Sequence, residues 1–161
     1  MEFVATRAKI RGVSVIVLCI DGSEFATEAV AAGFELVRAA GEPLVVTVID
    51  AIDESLVTGG GLFGGVMSHE ELSERDAGLE ADGVTAAQHA AAAIGIPDAE
   101  IRIVRGDPGP ALCALATEIS ARALVVGSRG HGGIKRALLG SVSDYLVRNA
   151  PCPVVITGPT G

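Results

Sequence analysis

A chain of 161 residues is the size of one domain and long enough to enclose a real core. Apolar residues make up 49% of it and aromatics only 3%, so that core must be built from Val, Ile, Leu and Ala. The formal net charge of −8 counts against general nucleic-acid binding, which rests on Lys and Arg neutralising phosphates, and leaves any phosphate ligand to a local site.

Residues 1–12 form a mildly basic lead (Arg7, Lys9, Arg11), expected to be a flexible or loosely docked terminus. The apolar run Val13 to Ile20 reads as the first strand. Lead and run together mimic a secretory signal, but the run is short and Asp21 and Gly22 follow it instead of a small-residue cleavage site. No stretch approaches the length of a membrane span, and a cytoplasmic protein is expected. Cys19, Cys113 and Cys152 lie far apart, without a C-x-x-C pair or clustered histidines, and read as small hydrophobes rather than metal ligands or disulfide partners.

Ser23 can cap a helix from Glu24 to Ala40, in which Phe25, Ala29, Ala32, Leu36 and Val37 recur at helical spacing, and Gly41 suits its C-terminal turn. Leu44 to Ile49, rich in β-branched residues, reads as a buried strand. The connection from residue 51 to 67 contains Gly59, Gly60, Gly61, Gly64 and Gly65. A glycine-rich loop of that length is a functional flap or an insertion without fixed structure; the flap is favoured because Leu62 and Phe63 need shelter. Ser68 with Glu71 is a capping-box pattern opening a long alanine-rich helix to Ile94, which Gly95 and Pro97 end. His69 and His89 lie in that helix too far apart to share a ligand, and both are expected in solvent. Glu100 to Arg105 alternates polar residues with Ile101 and Ile103, the pattern of a strand exposed on one face and near a sheet edge. After a turn at Gly106–Pro110, with a proline suited to the first helical position, a third helix runs to about Ala121.

Ala123 to Val126 is a buried strand that empties into Gly127–Ser141, GSRGHGGIKRALLGS, and then into a short helix from Ser141 to Asn149. Pro151 and Pro153 precede a fifth strand, Val154 to Ile156; flanking prolines place it at an edge, and an apolar edge invites pairing with another chain. The order β-α-β-α-β-α-β-α-β implies a parallel sheet with helices on both faces and right-handed crossovers.

A strand, a glycine-rich loop and a helix start make a recipe for holding phosphate. Glycine lets the backbone come close to an anion, successive N–H groups form a concave nest, and the helix start adds unpaired donors. The alternative is a plain turn. Two motifs of known mechanics do not fit: no lysine follows a glycine at the Walker spacing, and Lys135 stands where a dinucleotide fingerprint needs its third glycine.

Gly127, Gly130 and Gly140-Ser141 instead give G-x-x-G, nine intervening residues, then G-S. This spacing resembles the nucleotide-binding signature of the universal stress protein family, in its ATP-binding branch. The resemblance extends to Val17-Leu18-Cys19-Ile20-Asp21-Gly22-Ser23, to Val46-Thr47-Val48-Ile49-Asp50 and to Ala150-Pro151-Cys152-Pro153-Val154-Val155-Ile156, nearly the whole chain after residue 12. It implies one α/β domain over residues 13–157, with 158–161 a tail. The fold it implies is a doubly wound, five-stranded parallel sheet in the order 3-2-1-4-5, Rossmann-like and of the adenine nucleotide alpha-hydrolase type. In such a sheet the ligand lies at the carboxyl ends of strands one and four, where winding reverses.

The resemblance implies an adenine-nucleotide site drawn from Ile20, Asp21, Val48, Val126, Gly127, Arg129, Gly130, Gly140, Ser141 and Val142. Gly127 and Gly130 would let the loop fold over a triphosphate, and Gly140 would allow close approach before the last helix. Ser141 would offer its hydroxyl and N–H, and Val142 its N–H, to phosphate oxygens. Val48 would meet adenine through its backbone. Asp21 would bond the ribose or help hold Mg²⁺ with ATP; its competing reading is a turn residue in Asp-Gly-Ser. Arg129, His131, Lys135 and Arg136 form the concentrated positive patch, read either as phosphate compensation or, for Lys135 and Arg136 in preference, as a solvated face. No Ser/His/Asp or Cys/His set can be argued from spacing. The resemblance implies an ATP-binding, nucleotide-sensing regulator in stress response, with at most slow ATP hydrolysis or autophosphorylation, and a homodimer joined through edge strand 153–157 is expected. The alternatives are an adenylyl- or phosphoryl-transfer enzyme, and a scaffold that binds no nucleotide and acts through its dimer surface; the intact glycine signature counts against the latter.

Overall fold

The computed structural model describes residues 13–51, 68–128 and 139–158. The lead 1–12, the glycine-rich connection over 52–67, the positive patch within 129–138 and the tail from residue 159 lie outside the described residues.

Strand β1, Val15–Ile20, is apolar at every position, and all six residues are buried. Such a run is stable only with cover on both faces, which puts β1 in the middle of a parallel sheet. Beside it lie β2 (Glu42–Ile49) and β4 (Ala123–Gly127), with β3 (Glu100–Arg105) outside β2 and β5 (Val154–Thr157) outside β4. The order is β3-β2-β1-β4-β5, all parallel, as the family resemblance implied. The helices are α1 (Glu24–Val37), α2 (His69–Ile94), α3 (Pro108–Glu118) and α4 (Ser141–Asn149). Val15, Val17 and Cys19 pack with Leu112 and Leu115 of α3 and Leu146 of α4, while Ile16, Leu18 and Ile20 pack with Val30 and Phe34 of α1 and Ala87 and Ala91 of α2. Each buried Leu, Ile or Val contributes about 1.5–3 kcal/mol by leaving water, so β1 alone accounts for much of the drive to fold.

The sequence pattern misplaced one helix face. The expected stripe in α1 was Phe25, Ala29, Ala32, Leu36 and Val37, but the buried residues are Ala26, Ala29, Val30, Gly33 and Phe34, and Leu36 is 76% exposed. Glu24, Glu28 and Glu35 share the exposed face of α1 and the buried residues lie opposite them, so the expected stripe was turned off the true axis of the helix. Close approach fixes the seat: a Cβ on Gly33 would stand 2.7 Å from Val125 Cγ1 and 2.9 Å from Thr157 Oγ1, so only this rotation seats α1 on β4 and β5. The helix also stops at Val37, and Arg38–Ala40 continue as a 3-10 turn.

Helix α2 begins and ends as expected. Glu71 N–H donates to Ser68 Oγ (3.1 Å) and Ser68 N–H donates to Glu71 Oε2 (2.8 Å), while Gly95 takes φ +82° after the last turn. His69 and His89 are exposed. The bond from the Ser68 backbone holds the Glu71 carboxyl below its ordinary value, so this half of the cap is present above the usual carboxylate range and is lost as pH falls through it. Ser68→Ala is expected to cost about 0.5–2 kcal/mol. Urea unfolding should show it as a lower midpoint with an unchanged slope.

Two further boundaries differ from the expected ones. Helix α3 ends at Glu118 rather than near Ala121, because Ser120 adopts φ +51° and Ala121 N–H turns back to Ala116 O. Strand β3 does lie at the edge, but it is covered on both faces. Val104 and Arg102, 7% exposed, lie on one side and half-buried Ile101 and Ile103 on the other. Arg102 meets Glu100 at 3.4 Å, and Arg105 joins the sheet to α2 through Asp76 and Glu80. Among the described residues no helix is long and apolar enough to cross a membrane.

Candidate functional site

Between β1 and β4 the winding reverses, and in sheets of this kind the crevice outside the carboxyl ends of the strands there is where ligands bind. Ile20 is the last residue of β1, and its buried side chain belongs to the α1/α2 layer. Asp21 follows, exposed at the strand end. Its Oδ1 accepts from Ser23 N–H (3.0 Å) and Ser23 Oγ–H (2.7 Å), across Gly22 at φ +85°. Ser23 Oγ in turn accepts from Ala26 N–H at the start of α1. Asp21 is thus a turn residue of Asp-Gly-Ser, and the turn places it just past the carboxyl end of β1.

Val48 lies one step beyond Thr47, the register partner of Ile20, so the ends of β1 and β2 are level. Its side chain is half-buried against the α3/α4 layer. Val126 and Gly127 close β4, opposite Ile156 and Thr157 of β5. Ser128 N–H donates to Thr157 O at 2.7 Å, and the Thr157 hydroxyl donates to Ala29 O in α1. The strand end is thus held from two sides.

The glycine loop leaves at Ser128 and returns at Gly140, and its two mouths are tied together. Ser128 O accepts from Gly140 N–H at 2.8 Å and from the Ser143 hydroxyl at 3.4 Å. Ser143 is 1% exposed and also donates to Gly140 O at 2.9 Å. Gly140, at φ −64° and ψ 161°, is the cap residue of α4, a conformation open to any residue; a need for glycine there is a need for room. Ser141 is exposed at the first turn of α4, and Val142 is half-buried against the core. No side chain caps this helix start among the described residues. Its first N–H groups are donors with a partial positive charge. Asp144, an acid in that same turn, is engaged by Arg148 at 3.0 and 3.1 Å, and the bond from Arg148 holds its carboxyl below the ordinary range. The acid at the helix start thus carries its own counter-charge.

The described residues therefore bring together Ile20, Asp21, Val48, Val126, Gly127, Gly140, Ser141 and Val142 at one pole of the sheet. Arg129 and Gly130, with His131, Lys135 and Arg136, lie outside the described residues. Sequence reasoning missed Ser128 and Ser143; the signal was a serine three residues past the glycine that opens α4. Cys19, on the core side of β1, is no reactive group. Burial first, then the neighbouring Cys152 and Cys113, pushes its thiol up to about 12. Among the described residues no group of three His, Cys, Asp or Glu side chains can hold a metal ion.

This geometry defines a doubly wound, five-stranded parallel α/β domain whose winding reverses between β1 and β4. The chain belongs to the universal stress protein family, whose pattern it matches over residues 12–158. The Thermus aquaticus universal stress protein of the QAH/OAS sulfhydrylase 3′ region is 33% identical over 143 residues, covering 88% of this chain and 96% of that one. A universal stress protein crystallised in complex with cAMP is similar in structure, with a TM-score of 0.59 and 26% identity over 92% of this chain and 98% of that one. Universal stress protein UspA from Lactobacillus plantarum shares the fold, with a TM-score of 0.61 and 23% identity over 89% of this chain and 97% of that one.

Proposed function

We propose that the crevice binds Mg·ATP and that the protein is a nucleotide-sensing regulator, working in the cytoplasm as a homodimer paired through edge strand 153–157. One observation carries this reading. Ser128 and Gly140, which flank the glycine loop, are hydrogen-bonded to each other at the start of a helix that no side chain caps among the described residues. A plain turn has no need of that arrangement. The cAMP complex of a 26% identical relative adds support for an adenine ligand.

The roles follow from position. The Ile20 and Val126 backbones border the crevice, and Val48 meets adenine through its main chain. Asp21 takes the ribose hydroxyls or the Mg²⁺. Gly127 and Gly130 leave room for the triphosphate, with Arg129 offsetting its charge. Gly140, the Ser141 hydroxyl and N–H, and the Val142 N–H receive the terminal oxygens. The half-buried, apolar β5 offers the pairing edge.

Calorimetric titration with Mg·ATP, AMP and cAMP, after extraction of any co-purified nucleotide, tests the site. Wild type is expected to bind an adenine nucleotide in the micromolar range. Gly130→Val is expected to abolish the heat by filling the space the phosphates need. Absence of heat with every adenine nucleotide would sink the reading and leave the scaffold role. Rapid multiple turnover of ATP would favour a transfer enzyme.

A further inference from the structure

At the pole of the sheet opposite the proposed nucleotide site, the amino ends of β1, β2 and β3 border a concavity of about 710 Å³, a size typical of small-molecule sites. Phe34 and Leu44, almost wholly buried, make its floor, and the half-buried Pro43, Ile96 and Ala99 make its walls.

Its rim is poor in donors. Pro43 and Pro97 carry no N–H. The N–H groups of Glu42, Gly95, Ile96 and Ala99 are already spent, on Ser14 O, Ala92 O, Ala91 O and Ile96 O. Arg38 is the one cation of the lining among the described residues; it pairs with Glu35 at 2.6 Å and lies over the Phe34 ring at 5.2 Å. Glu100 is met by Arg102 at 3.4 Å. That leaves Glu42 and Asp98, both exposed, and neither carboxylate has a partner among the described residues. Leu44 pairs with Glu100 in the β2–β3 ladder, so Glu42 and Asp98, each two residues earlier, enter the rim from neighbouring strand starts. An anion would meet two unpaired carboxylates and no unpaired cation. A ligand that suits the site brings its own donors and a positive charge.

We propose that this concavity binds a small amphiphilic cation, with its apolar body against Pro43, Ile96 and Ala99 and its ammonium group between Glu42 and Asp98. The ammonium supplies the N–H donors that the rim lacks, and the walls take the apolar body out of water. The site is independent of the crevice at the other pole.

Fluorescence titration of the full chain with dansylcadaverine, an aromatic body ending in one ammonium, tests this against dansylglycine, the same body ending in a carboxylate. The cation is expected to give a saturable, blue-shifted enhancement that Mg·ATP does not displace, and the anion none. Glu42→Gln with Asp98→Asn, both at exposed positions, should weaken binding of the cation roughly five-fold, the worth of two exposed charge pairs, with an unchanged circular dichroism spectrum. Ala99→Arg, which sets a fixed cation in the wall, should weaken it further. A wild type without a saturable signal would overturn the proposal, as would equal binding of the anion or an unchanged affinity in the carboxylate double variant. Displacement by Mg·ATP would overturn it too, by assigning the dansyl group to the crevice.

Discussion

Gly33→Val is expected to lower the thermal midpoint by roughly 2–12 °C, from about 1–3 kcal/mol of overpacking. Helix propensity points the other way. Removing a glycine from the middle of α1 should, on that ground alone, stabilise it by about 0.5–1 kcal/mol. The geometry decides the sign. The first added carbon would meet Val125 Cγ1 at 2.7 Å and Thr157 Oγ1 at 2.9 Å, and Thr157 is held to Ala29 in α1 and to Ser128 beyond β4. Valine adds two more carbons to that contact, so α1 must lift or β5 must move. A midpoint equal to or above wild type in a melt followed by circular dichroism would show that α1 sits elsewhere on the sheet.

Leu146→Ala is expected to have the largest effect on both stability and binding. Leu146 is wholly buried and is the only large apolar side chain that α4 buries fully. Truncating such a leucine costs about 2–5 kcal/mol, a large share of the roughly 5–15 kcal/mol that holds a domain together. It also frees the helix whose start forms one wall of the crevice, leaving Val142 and the Ser143 hydrogen bonds to seat it. Leu44→Ala is the control: it removes an equally buried leucine from the same core layer, near the amino pole. Urea unfolding should show similar losses for the two, while Mg·ATP titration below the unfolding range should show weakened binding for Leu146→Ala alone. Equal affinities would separate the α4 seat from ligand binding.

Much of this molecule is legible in its residues, and for identifiable reasons. Val15–Ile20 is apolar throughout, and only a strand covered on both faces can hide such a run, so the centre of the sheet was visible. Ser68 with Glu71, and Gly95 after Ile94, are local signals whose physics is complete within a few residues, and both helix ends fell where they were expected. The strand order is different in kind. It came from resemblance, since hydrophobic runs do not state which strand neighbours which.

Residue order alone thus settles each element whose cause lies within its own few positions, together with family membership carried by spacing. Everything else waited on the assembled fold, because those outcomes depend on partners far along the chain. The close seat of α1 on the sheet was set by the room Gly33 leaves for Val125 and Thr157, partners far along the chain. Arg102 is buried in an edge strand because the layers on both sides close over β3 and Glu100 meets its charge. Ser128 joins the end of β4 to Thr157, Gly140 and Ser143, and those bonds exist only once β5 and α4 are seated. A hydrogen bond between residues a dozen or more positions apart leaves no periodicity in the sequence, and that is why it could be found only in the fold.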